Sequence, residues 1–357
     1  MNVPATPTAG TRSVAVDAAK TAAIFGTILI HASAMGGFAW ETGSTNWVWA
    51  LFWGSVLRCA VPVFFLCSGA LLLDPEKNVT LRRVWTHYIP RIAAALFFWA
   101  AAYGAWPVFL TWLRTGVVEA EGLRMWGGES ALLASQDPSL LPAHHPAGVR
   151  PAAHHPVLCR PGGPETEKLC PGCVVRTGVC PAGALGLLAP VPDRGHPRPV
   201  SHQCHLGAVG YSLLGRALTE EAPRFRPRIF AWMYLAGLAV TFGGTWGLSL
   251  LRGQLYLGFL QGNAPGVCLE AAGLYGWCVS RFSGGAGPRW SKTVSQASFC
   301  VYLVHLFFLE ELVSRGFSAG AYSPVWAVPA LTAAVFAVSL GVWLILRRIP
   351  VVNRWLI

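Results

Sequence analysis

The stretch VAVDAAKTAAIFGTILIHASAM, residues 14–35, is apolar apart from small hydroxyls and three ionisable side chains, Asp17, Lys20 and His31. Wound as a helix it would rise roughly 33 Å, about the hydrocarbon thickness of a bilayer. Ionisable groups at that depth are costly and must face protein or water, so the stretch reads as a membrane-crossing helix that also walls a polar site. Lys20 and His31 are eleven residues apart, almost three turns, which puts them on one face with their levels separated by roughly 16 Å. Asp17 lies one turn before Lys20 on nearly the same side.

The same length of apolar sequence recurs at 47–73, 89–113, 229–251, 261–280, 296–315 and 325–346, and a shorter piece at 206–218 reads as the remnant of one more. Over 357 residues the chain is 54% hydrophobic and only 12% charged, with a mean hydropathy of +0.47. A water-soluble fold cannot hide that much apolar surface. The expected fold is therefore all-α, a polytopic transmembrane bundle of about eight spans. Lys20, a short apolar run and Ala32-Ser33-Ala34 imitate a cleaved leader, but Asp17 and the many later spans favour a retained first helix.

The net charge of +11 does not point to nucleic acid, because the basic residues fall between apolar stretches and not along one face. Lys77, Arg82 and Arg83 share one connection, Arg224, Arg226 and Arg228 a second, Arg281, Arg289 and Lys292 a third, and Arg347, Arg348 and Arg354 close the chain. The intervening connections carry Arg252 alone. By the positive-inside rule both termini are expected in the cytoplasm. The ten cysteines lie singly in apolar helices or in one unusual segment, so no secreted disulfide framework is implied.

That segment, 126–206, divides an N-terminal membrane part, 1–125, from a C-terminal one, 207–357. It holds 13 of the 26 prolines, five of the ten cysteines and seven of the ten histidines. Proline at this density excludes a continuous helix. Topology requires an even number of crossings here, two or none. Cys170, Cys173, Cys180, Cys204 and His205, with His144-His145 and His154-His155, offer soft ligands, but the spacing lacks a second CxxC, and no metal is expected. The degeneracy of the genetic code allows a different origin. Each His-His-Pro permits Ile-Ile-Leu one base later, so residues from about Ser135 to about His205 are expected to be out of frame, an acquired loop being the alternative.

Histidine exchanges protons near neutral pH, which suits His31 to activate a hydroxyl, a structural hydrogen-bonded role being the alternative. Arg58 opens RCAVPVFFLCSG, residues 58–69, and a buried guanidinium there needs a carboxylate or phosphate partner. Pro62 frees a backbone carbonyl, and Ser68-Gly69 allows a close helix approach. Arg82 and Arg83 can grip phosphates, or only fix orientation. Tyr302 and His305, three apart, point the same way.

These pieces resemble the acyltransferase family 3 membrane proteins, which acylate sugars and other acceptors. The resemblance rests on Asp17–His31 with its lysine, ten residues and histidine, on 61–73 with Val-Pro-x-Phe-Phe and Ser-Gly, and on 82–99 with basic residues before Ile89-Pro90 and a following Phe-Phe-Trp. It extends through 210–215, 298–305 and 347–353. It implies a ten-helix bundle with both ends inside. It also implies His31 as the essential general base or acyl relay, with Lys20, Arg82 and Arg83 serving acyl-CoA. From the residues themselves Arg58 is expected to join the acyl-CoA-binding group, with Asp17, Ser68, Tyr302 and His305 in support. His87 departs from the family's repeated basic residue, and the family's central helices are absent from 126–206.

The expected function is transfer of an acyl group, acetyl first among them, from acyl-CoA as co-substrate, with no bound cofactor, to a hydroxyl of a sugar or lipid-linked envelope acceptor at the plasma membrane. Its partners are then acyl-CoA, that acceptor and membrane lipids, without nucleic acid. A transporter is the rival class, as is an inactive copy of the enzyme; a transporter predicts internal repeats, and the halves show no inverted similarity.

Overall fold

The computed structural model describes residues 13–75, 79–116, 202–282 and 289–356. The described residues are helical, with six helical stretches long and apolar enough to cross a membrane, one of them, Thr45–Leu72, made of two helices together. In chain order the helices are α1 (Val14–Gly37), α2 (Thr45–Val56), α3 (Ala60–Leu72), α4 (Ile89–Thr115), α5 (His202–Glu221), α6 (Pro227–Arg252), α7 (Pro265–Phe282), α8 (Arg289–Ser314), α9 (Pro324–Leu346) and the short α10 (Pro350–Trp355). The chain divides into a unit of residues 1–106 with 180–357 and a second unit of 107–179. Within the second, only the end of α4 is described. The metal-ligand and out-of-frame readings of the central segment lie outside the described residues, apart from the backbone at 202–205.

Several boundaries differ from the sequence reading. The expected helix 47–73 is two helices interrupted at residues 57–59, because Pro62 lacks an amide for the Arg58 carbonyl four residues earlier and its ring crowds that carbonyl. The amides around the gap turn back locally, Arg58 to the Ser55 carbonyl at 3.0 Å and Ala60 to the Leu57 carbonyl at 2.9 Å. α5 begins at His202, inside the segment read as irregular, and α8 begins at Arg289 and so takes Lys292 out of the connection. Before α4 the chain is already helical over Leu81–Arg83, followed by a widened π turn at Val84–Tyr88. Pro90 explains the widening, since it cannot supply the amide that a regular turn requires.

α1 is the hub of the larger unit and packs against α2, α3, α7, α8 and α9. Its lower half, with Ala15, Val16, Ala19 and Ala23, shares a core with Val63, Leu66, Cys67, Val267 and Tyr275. Its upper half, with Ile24, Ile28 and Leu29, joins Val301, Val304, Leu309, Val328 and Val335 of α8 and α9. Close approach is bought with glycine: a Cβ on Gly69 would overlap the Ser212 carbonyl, and one on Gly215 the Leu66 carbonyl. The expected role of Ser68-Gly69 is thus realised where α3 crosses α5.

Contacts along α1 fix the directions of its neighbours. The Cys67 thiol approaches the Val16 carbonyl, and the Thr21 hydroxyl lies 3.4 Å from the Ser291 carbonyl, so α3 ends and α8 begins where α1 begins. α9 starts beside Asn46, at the opposite end. Asp74 beside Arg216 (3.6 Å) and Phe230 of α6 against Gly273 and Gly276 of α7 complete the pattern. The basic connections after α3, α5, α7 and α9 therefore share one end of this unit. Outward apolar side chains such as Phe97, Trp232 and Leu251 suit contact with hydrocarbon.

Candidate functional site

The α1 helix runs unbroken past Lys20 and His31 and bends only at Met35 and Gly36, so the face predicted from spacing exists. His31 is half-buried, and its ring centroid lies 5.3 Å from that of His305 on α8, the planes inclined at 46°. His305 is buried, with Nδ1 2.6 Å from the Tyr302 carbonyl and 3.2 Å from the Val301 carbonyl. A carbonyl only accepts, so Nδ1 carries the proton and Nε2 is left as an acceptor. That Nε2 has no hydrogen-bond partner among the described residues. The Tyr302 ring stands 5.8 Å from His305 and 6.2 Å from Phe64, closing the group toward α3. Beneath this part of α8, the Tyr103 hydroxyl of α4 donates to the Leu303 carbonyl at 2.6 Å, and its ring stacks on Phe307 at 3.8 Å.

Arg58 enters from the gap between α2 and α3. Its Nε donates to the Leu260 carbonyl at 2.7 Å, and its charge lies within reach of His31 and of Glu270 on α7. The gap thus turns a helix break into a place for a half-buried guanidinium, which a regular turn would have pointed elsewhere. Glu270, wholly buried, was missed in the sequence. Its signal was legible: it is the one carboxylate in the apolar run 261–280.

The remaining predicted residues fall apart from this group. Asp17 is buried and Lys20 half-buried, near Cys67 of α3 at the end where α1 begins. The Ser68 hydroxyl donates to the Phe64 carbonyl of its own helix at 2.8 Å, so it is occupied locally. Arg82 and Arg83 are exposed in the turn before α4, and the Arg83 guanidinium sits 5.9 Å from the Tyr88 ring centre. The structure therefore groups His31, Tyr302, His305 and Arg58, and leaves Lys20, Asp17, Arg82 and Arg83 toward the basic end.

Residues 13–130 match the family model for an acyltransferase domain. Over these residues the chain is similar to acyltransferase family 3. It covers about a third of the chain and contains α1 to α4, hence His31, Lys20, Arg58, Arg82 and Arg83. His305, whose ring lies against His31, and Tyr302 beside it lie outside the match. No curated protein and no solved structure matches the chain significantly. The part similar to an acyltransferase domain thus sits in a chain whose described residues form helices long and apolar enough to cross a membrane.

Proposed function

We propose that the chain transfers an acyl group, acetyl in the simplest case, from acyl-CoA to a hydroxyl of a sugar or lipid-linked acceptor in the cell envelope, across the plasma membrane with both termini cytoplasmic. The observation that carries the reading is the His31–His305 ring contact, in which His31 belongs to the segment matched to an acyltransferase domain and His305 does not. His31 takes the proton of the acceptor hydroxyl as its oxygen adds to the thioester carbonyl. The carbon–sulfur bond then breaks, the CoA thiolate leaves, and His31 returns the proton to it. Lys20, Arg82 and Arg83 supply positive charge on the route of the CoA phosphates, which fits their place toward the basic end.

The test uses the purified full chain in detergent with labelled acetyl-CoA and an envelope extract as acceptor. His31→Ala is expected to lower turnover by at least roughly a hundredfold, the usual scale of a general base, while the protein still inserts and unfolds at its normal temperature. Retention of most turnover by this variant would remove His31 from the mechanism.

A further inference from the structure

Glu270 stands in the first half of α7 with none of its surface exposed, and neither carboxyl oxygen has a hydrogen-bond partner among the described residues. The Cys59 amide and thiol and the Thr241 hydroxyl lie beside the carboxyl, yet none reaches good hydrogen-bond geometry with it. A carboxylate stripped of water is costly unless a positive charge compensates it. Two positive features lie at the α2–α3 gap, neither in direct ion-pair contact with the carboxyl among the described residues. One is the N-terminal end of α3, whose cap residue is Cys59. The other is Arg58.

The surroundings hold this arrangement firmly. A Cβ on Gly237 would fall 2.6 Å from the Glu270 amide, so α6 is pressed onto α7 at this level. From the same helix the Tyr234 hydroxyl donates to the Val56 carbonyl, tying the end of α2 to α6. Nε of Arg58 is spent on the Leu260 carbonyl, just before α7. Among the described residues that is the one hydrogen bond of the guanidinium, so its terminal nitrogens remain as donors.

We propose that Glu270 is the buried counter-charge that positions Arg58 beside His31. α7, outside the matched acyltransferase segment, thereby reaches into the site through a charge and not through contact with substrate. With Glu270 behind it and Leu260 fixing Nε, the guanidinium keeps its free donors available to the thioester oxygen as that oxygen gains negative charge. This last step rests on the acyl-transfer reading; the pairing itself does not.

Four full-length proteins in detergent decide it: wild type, Glu270→Gln, Arg58→Gln and the double variant. In thermal unfolding each single change leaves a buried charge uncompensated and lowers the midpoint, whereas the double change removes both charges and recovers most of the loss. Losses that simply add overturn the pairing. A Glu270→Gln chain that folds only together with Arg58→Gln supports it, and a double variant that also fails to fold overturns it.

In acetyl-CoA turnover Glu270→Gln is expected to lower kcat by roughly ten- to a hundredfold, with KM for acetyl-CoA within about twofold of wild type. Glu270→Asp, which keeps the charge, recovers part of that kcat. An unchanged kcat, or a loss confined to KM, overturns the positioning role. Wild-type protein without turnover would refute the acyl-transfer reading instead and leave the unfolding cycle to decide the pair.

Discussion

A buried histidine whose Nδ1 donates to two backbone carbonyls has one nitrogen left for chemistry, and in His305 that nitrogen has no described partner. With the His31 ring 5.3 Å away, the two imidazoles form a close pair of groups able to exchange protons. His305→Asn can still donate to the Tyr302 carbonyl but loses the Nε2 acceptor. It is expected to lower kcat by about tenfold at unchanged protein yield, and full turnover would reduce His305 to a packing residue. The exposed pair Arg82 and Arg83 has the opposite profile, because solvated charges contribute little to geometry. Their double alanine variant is expected to raise KM for acyl-CoA by roughly three- to tenfold with kcat nearly unchanged. An unchanged KM would leave them as topology signals only.

At the scale of elements, proline and glycine set where helices stop and how closely they cross. Pro62 opens the gap that lets Arg58 leave the α2–α3 axis. Pro62→Ala restores the missing amide, and we expect it to favour a continuous helix, displacing Arg58 and lowering turnover more than stability. Turnover equal to wild type would separate the break from function. Gly69→Val probes the other device, since its side chain would enter the space of the Ser212 carbonyl. Overpacking of this kind costs about 1–3 kcal/mol or more, to be read as a lower unfolding midpoint in detergent. A midpoint equal to wild type would mean that α3 and α5 can separate freely.

Over the whole molecule, the basic connections gather at the end where α1 begins. Reporter fusions after Arg228, Arg281 and Arg354 are therefore expected to score as cytoplasmic, and fusions after Phe38 and Ser318 as external. A mixed pattern would overturn the topology. The central segment has its own test in the gene: translated one base later across codons 135–205, it is expected to give two apolar runs of about 20 residues. Stop codons or a polar product there would refute the frame reading.

The run 14–35 determined its own helix, the shared face of Lys20 and His31, and the membrane class of the chain, because length and hydropathy are local properties. The charges between spans were equally legible, and the structure places their connections together. Tertiary structure alone decided the rest. Nothing in the sequence says that His31 meets His305, residues 274 positions apart, or that Arg58 takes the Leu260 carbonyl and Glu270 as neighbours. Helices of similar hydropathy are interchangeable to the bilayer, so hydropathy places each helix in the membrane without choosing its partners. That choice is made by close packing at Gly69, Gly215 and Gly237 and by the cost of leaving a buried charge alone. Both exist only once the helices are side by side.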